Sequence, residues 1–274
     1  MATTVGSATL NDQFSYADAT AMTASGLFEY RDDTTSNESA CRFGPWAVGV
    51  WNGALWMRTD NAEVPGDDDY MGDRPCKSGE VRTAASYGPY GDIEASIRVQ
   101  ASAGAGPNGK SGFTMGLFTG SVSGTPPITT RELGMELTGL RLNFAETMLI
   151  TNNNPQCTSF HECEGNYVAS ASPSATFDPT VAYKTYKIEW RWHSIKYYVD
   201  GALVHTLRRP TRFTTAWADQ ARRLVLSFTV PQHEIENSYG GAWLESDIEQ
   251  TDYHEGQVDW LKFSPCSGPD CTLP

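Results

Sequence analysis

Charge is scarce in this chain of 274 residues. Asp, Glu, Lys and Arg make up 19% of it, below the roughly 25% of an average soluble domain. Disordered chains combine high charge with few aromatics. Here aromatics reach 11% and hydrophobic residues 39%, so a substantial core is expected. Basic residues are the scarcer sign, 20 Lys and Arg against 33 Asp and Glu, a net charge of −13. That balance argues against nucleic acid and against an anionic membrane surface as partners. No apolar run approaches the roughly 18 residues of a membrane span. Met1 to Asp12 lacks the basic and apolar segments of a signal peptide, and the chain reads as a mature form behind an initiator Met. Several chemistries lack their motifs. There is no HExxH, no pair of His at metal-ligand spacing, no GxSxG and no CxxC. Gly104-Ala105-Gly106 is not followed by the Lys-Ser/Thr of a phosphate loop.

Helical periodicity is nearly absent as well; Thr215 to Arg223 is the one short candidate. What the chain has instead is alternation bounded by turn residues. Val48-Gly49-Val50-Trp51, Asn52-Gly53 and Ala54-Leu55-Trp56-Met57 read as a hairpin on an Asn-Gly turn. Ile195 to Val199, Asp200-Gly201 and Ala202 to Thr206 read as a second one. Ile93, Ala95, Ile97 and Val99 alternate with polar residues, as do Tyr186, Ile188, Trp190 and Trp192. Leu224 to Val230 and Gln257 to Phe263 are further strands. Many strands joined by Gly- and Pro-rich turns predict an all-β sandwich of two antiparallel sheets. No composition break divides residues 1–274, so a single domain is expected, with a long loop from Asn152 to Pro179 of the kind that often carries function.

The six cysteines, an even number at wide spacing, predict disulfides and an oxidising, hence secreted or extracellular, setting. Cys157 with Cys163 and Cys266 with Cys271 each close a short loop, which leaves Cys41 with Cys76. Asn37-Glu38-Ser39 is an N-glycosylation sequon.

One run carries a chemical signal, Arg131-Glu132-Leu133-Gly134-Met135-Glu136-Leu137. On a strand, Glu132, Gly134 and Glu136 share one face and Leu133, Met135 and Leu137 the other. Paired carboxylates on an open face suit glycoside hydrolysis, where one attacks and the other protonates the leaving oxygen. Four residues apart on a flat strand, their Cα atoms lie about 13 Å apart, so twist and leaning side chains must bring the carboxyls to the roughly 5–5.5 Å of a retaining enzyme. The plain alternative is a pair of solvated glutamates on an exposed face.

Four segments in order resemble glycoside hydrolase family 16, the family of licheninases, laminarinases and agarases. Ser78-Gly79-Glu80-Val81-Arg82-Thr83 with Tyr87 to Ala95 is similar to its G-E-x-R-T…Y-G-x-F/Y-E-A passage. Glu132 to Glu136 falls on E-[ILV]-D-x-E. Tyr186 to Trp190 with Ile195 to Gly201 resembles a later hairpin, and Gly241-Ala242-Trp243-Leu244 with Val258 to Phe263 resembles the closing strands. The resemblance implies a concanavalin A-like jelly roll whose one sheet holds a glycan cleft. It makes Glu132 the nucleophile and Glu136 the acid/base of a retaining endo-β-glycanase, with a β-linked polysaccharide as substrate, no cofactor for catalysis and a monomeric state. Glu80, Arg82, Phe118 and Trp243 would line the cleft, although Trp243 reads equally as a core tryptophan. A structural calcium ion would sit on Asp259 and backbone carbonyls away from the cleft. The departures are Gly134 in place of the family's central Asp, Thr130 and Thr229 at aromatic positions, and Met148 and Ile150 at sugar-contact positions. They leave a second possibility, a glycan-binding protein without turnover.

Overall fold

Two tight turns fix the hairpins. Asn52 and Gly53 have φ of 52° and 72°, and Asp200 and Gly201 have φ of 48° and 78°. Two consecutive residues at positive φ are what a type I′ turn demands, and Asn-Gly and Asp-Gly supply them at least cost. The computed structural model describes residues 8–32, 41–60, 77–100, 114–120, 133–138, 141–146, 182–208, 221–229 and 253–271.

In chain order the elements begin with β1 (Leu10–Asp12), α1 (Ala19–Ala24), β2 (Phe28–Tyr30), β3 (Arg42–Phe43), β4 (Val48–Trp51), β5 (Ala54–Asp60) and β6 (Lys77–Thr83). β7 (Gly91–Gln100), β8 (Thr114–Gly120), β9 (Gly134–Thr138) and β10 (Arg141–Glu146) follow. The chain closes with β11 (Lys184–Trp190), β12 (Ser194–Val199), β13 (Ala202–Arg208), β14 (Arg223–Thr229) and β15 (Tyr253–Pro265). One sheet runs β4-β5-β15-β7-β11-β12-β13, with β1 beside β15 where β5 ends. The other runs β10-β9-β8-β14-β6-β2. Among the described residues a single pair, Asp60 with Lys77, joins them at one edge. Pairing is antiparallel except between β3 and the start of β6. The fold is an all-β, two-sheet antiparallel sandwich of jelly-roll type.

Alternation decides which side of each strand is buried. Ile93, Ala95, Ile97 and Val99 of β7, Tyr186, Ile188 and Trp190 of β11, and Leu261 and Phe263 of β15 point inward and are buried. From the second sheet Val81, Met115, Leu117, Met135, Leu224, Leu226 and Phe228 meet them. The two layers come close enough at β15 that a Cβ on Gly256 would lie 2.7 Å from Met115 Sδ and 2.8 Å from Phe228. The outward side of the first sheet carries ion pairs along β7, β11 and β12. Asp92 there binds Lys187 at 2.5 Å and Arg191 at 2.7 Å, and Glu189 binds Lys196 at 2.7 Å.

The sequence reading differs from the structure at three places. α1 was not anticipated; it has six residues, buries only Met22, and is started by the Asp18 side chain accepting from the Ala21 amide. Residues 221–223 do not continue a helix. Arg222 exchanges backbone hydrogen bonds with Tyr87, and Arg223 opens β14. Residues 215–220 lie outside the described residues. The strand through Tyr186 ends at Trp190, before Trp192. The 152–179 loop and the sequon also lie outside the described residues.

Candidate active site

Strand register builds the candidate site. Glu136 on β9 pairs with Gly116 on β8, Gly116 with Ser227 on β14, and Ser227 with Glu80 on β6. The next row runs Gly134, Phe118, Val225, Arg82 and Glu29. Directly paired residues share a face, as do residues two apart along a strand. All nine positions therefore lie on the side of the second sheet that faces away from the core. Strands about 4.8 Å apart put Glu136 roughly 14 Å from Glu80 across this floor. Leu133 and Met135, on the opposite side, are fully buried, as the alternation predicts.

The centre of the floor at β6 is charged. Glu80 is 2% exposed and has a guanidinium on each oxygen. Arg82 Nε and Nη2 donate to Oε1 at 2.6 and 2.5 Å, and Arg31 Nη1 donates to Oε2 at 3.2 Å. A carboxylate taken from water needs such charge-assisted partners. The Arg31 amide also donates to the Glu80 carbonyl, and its guanidinium lies 4.3 Å from the centroid of the Phe43 ring. Arg82 keeps 34% of its side chain exposed and is the member that reaches outward. Beside it Arg223 Nη1 donates to Glu29 at 2.5 Å. Among the described residues, three arginines against two glutamates leave this part of the floor one charge positive in a chain of −13. Hydrogen-bond donors gathered on one face, with a backbone-only position at Gly116 next to Glu136, can hold the hydroxyls of a polyhydroxylated ligand.

Of the residues singled out in the sequence, the positions of Glu136, Gly134, Phe118, Glu80 and Arg82 fall by register on this face, spread over β9, β8 and β6. Glu132, Trp243, Thr130, Met148 and Ile150 lie outside the described residues. Thr229 ends β14 opposite Thr114. Asp259 belongs to the other sheet. It is the extra residue of a bulge between Val258 and Trp260, and it is exposed. Among the described residues no group of three or more His, Cys, Asp or Glu gathers to hold a metal ion. Calcium takes about 6–8 oxygen ligands, and Asp259 would supply one carboxylate to such a set. Cys266 and Cys271 form a disulfide, and Cys41 is disulfide-bonded. Cys76, Cys157 and Cys163 lie outside the described residues.

Arg31 is the residue that the sequence reading missed. It lies 49 positions from Glu80, in a stretch with no motif. No local pattern announces the pairing, which exists because β2 lies beside β6 and brings the following residue to Glu80.

Comparison with known proteins supplies what geometry alone does not. The family model described as glycosyl hydrolases family 16 matches residues 36–262. A β-glucanase of Bacillus amyloliquefaciens is 34% identical over 132 residues, which are 47% of this chain and 44% of that protein. A β-glucanase of Bacillus subtilis is 33% identical over the same shares. Less than half the length of these curated relatives is therefore matched. Among solved structures, a β-1,3-1,4-glucanase (lichenase) derived from a mouse hindgut metagenome superposes with a TM-score of 0.70 at 16% identity, covering 94% of this chain and 99% of that one. The β-glucanase of Bacillus licheniformis gives 0.66 at 18% identity, covering 96% and 100%. At such identities these two speak for the fold.

Proposed function

The chain belongs to the glycosyl hydrolases of family 16, and from that premise we propose that it is a retaining, endo-acting β-glycanase acting on a β-glucan or related β-linked polysaccharide. The observation that carries the reading is the register that sets Glu136 and Gly134 in line with Glu80 and Arg82 on one face. In this proposal Glu132 attacks the anomeric carbon and forms a glycosyl ester while Glu136 gives its proton to the departing glycosidic oxygen. Glu136, now a carboxylate, takes a proton from water, and the resulting hydroxide cleaves the ester with a second inversion. At the roughly 5–5.5 Å that a retaining pair requires, mutual repulsion would favour one ionised and one protonated carboxyl, which would divide nucleophile from acid. Arg82, steadied by Glu80 and Arg31, meets the hydroxyls of a bound sugar. The named relatives are β-glucanases, which supports the substrate class. We place the protein outside the cell, as a monomer of one domain, in keeping with its disulfides.

Gly134 favours a second reading. Where the family's motif has Asp between the two glutamates, this chain offers no side chain, and a protein that binds glycan without cleaving it would tolerate that loss. Release of reducing ends from soluble β-glucans by the wild type, Glu132→Gln and Glu136→Gln separates the two. Turnover in the wild type alone supports hydrolysis; binding without turnover in all three supports the second reading.

A further inference from the structure

The outward side of the first sheet, on the layer opposite the floor, borders a second concavity of about 670 Å³. It lies where β4 and β5 meet α1, and its walls include Asp18, Thr20, Trp51, Trp56, Arg58 and Glu255. Register explains why these side chains face out. Gly49 pairs with Trp56, Trp51 with Ala54, and Arg58 with Glu255, while the alternate residues Val50, Leu55 and Met57 are buried in the core. Gly49 is needed here for space: a Cβ at that position would strike the Trp56 indole, so the ring covers the glycine. The Arg58 guanidinium sits 5.4 Å from the centroid of that ring. Trp51, next to the hairpin turn, is 71% exposed. Leaving so much indole in water forgoes the gain of burying it, and neither the core nor the floor uses it.

We propose that this concavity is a second, non-hydrolytic binding site for a neutral β-linked glycan, a proposal that takes only its ligand class from the glycanase reading. Aromatic walls with a few convergent polar groups, in a hollow of this size, are the make-up of a ligand site. The C–H faces of a β-linked sugar match an exposed indole, and its hydroxyls match the carboxylates of Asp18 and Glu255 and the guanidinium of Arg58. Those three charges sum to −1, which disfavours sulfated, uronic or phosphorylated polymers. The concavity sits at the edge where α1 and Tyr30 of β2 meet β4 and β5, and its lining shares no residue with the rows of the floor, so a long chain held there leaves the floor open to a separate segment or to a neighbouring chain in an insoluble substrate.

The test is native affinity electrophoresis of the full chain in gels containing a soluble β-1,3-1,4-glucan or a β-1,3-glucan. Reducing-end release from a short oligosaccharide is measured alongside, for the wild type, Trp51→Ala and Arg58→Gln. Trp51→Ala is expected to weaken retention by about fivefold to tenfold, with the melting temperature and the turnover of the short oligosaccharide unchanged. Arg58→Gln, which also probes the site without removing a ring, is expected to weaken retention less. Retention equal to the wild type in both variants, or no retention of the wild type in either gel, overturns the proposal. Failure of the glycanase reading looks different: no reducing ends from the wild type, with retention still dependent on Trp51.

Discussion

Removing Arg31 puts the charged floor of the candidate site to a quantitative test. In Arg31→Ala, Glu80 keeps Arg82 but loses the guanidinium on its other oxygen. The lost pair is buried, with 13% and 2% of the two side chains exposed. Removing one partner of a buried pair costs about 3–5 kcal/mol when the other is left unneutralised. Here Arg82 still neutralises Glu80, so the loss falls below that range, to roughly 2 kcal/mol. The guanidinium over Phe43 adds about 0.5–1 kcal/mol. The sum is near 3 kcal/mol, which in a chain of this size lowers the melting temperature by about 6 °C, at roughly 2 °C per kcal/mol. The control lies on the same sheet. Glu29 pairs with Arg223 at 2.5 Å but is 52% exposed, and pairs of that kind contribute about 0–1 kcal/mol. Urea midpoints and calorimetry of Arg31→Ala, Arg31→Lys and Glu29→Ala provide the comparison. Arg31→Lys should fall between the wild type and Arg31→Ala, because one ammonium replaces a fork. Equal losses for Arg31→Ala and Glu29→Ala, or a loss under about 1 kcal/mol for Arg31→Ala, would refute the reasoning.

Two further outcomes are expected. Gly134→Asp returns a carboxyl to the floor row that Phe118 and Arg82 share, and it should raise kcat on β-glucan by up to about tenfold, less than the roughly 10²–10⁴ of a full acid–base group; an unchanged or lower kcat counts against a helper role at that position. Burial pushes the Asp200 carboxyl up, but the Thr185 amide and Lys184 outweigh it and hold it below the ordinary carboxylate range. A depressed folded pKa means that its stabilisation is present above the unfolded value, near 4, and is lost as pH falls through the lower folded value. Asp200→Asn keeps a residue suited to positive φ. It should therefore cost a degree or two of melting temperature at pH 6, given about 47% exposure of the carboxylate, and the difference should shrink as pH falls below the ordinary carboxylate range. A difference that persists unchanged at low pH would contradict this.

Local chemistry explains which parts of the fold were legible. Asn52-Gly53 and Asp200-Gly201 determine their turns within two residues, so both hairpins appear in the sequence with nearly their observed ends. The alternation of Ile93 to Val99 is likewise decided by burial on one side of a single strand. What stayed hidden depends on partners far away. Arg222 sits in a polar stretch that looks helical until Tyr87 takes its backbone groups. β2 has three residues, too few for a period, and is held as a strand by β6. Arg31 acquires its role only because β2 delivers it to Glu80. The bulge that turns Asp259 outward follows from the register of β15 against β7, which no local pattern announces. In the candidate site, the face shared by Gly134 and Glu136 was readable from alternation. Its alignment with Glu80 and Arg82, more than fifty residues earlier, required the sheet order.

The most direct measurement of the central claim is the anomeric course of hydrolysis, followed by proton NMR on a soluble β-1,3-1,4-glucan with the wild type and Glu136→Gln. If Glu132 and Glu136 act as nucleophile and acid/base, the wild type first releases the β-anomer, which then mutarotates, and Glu136→Gln loses roughly 10²–10⁴-fold in rate. First release of the α-anomer would contradict the account, as would hydrolysis by Glu136→Gln at the wild-type rate.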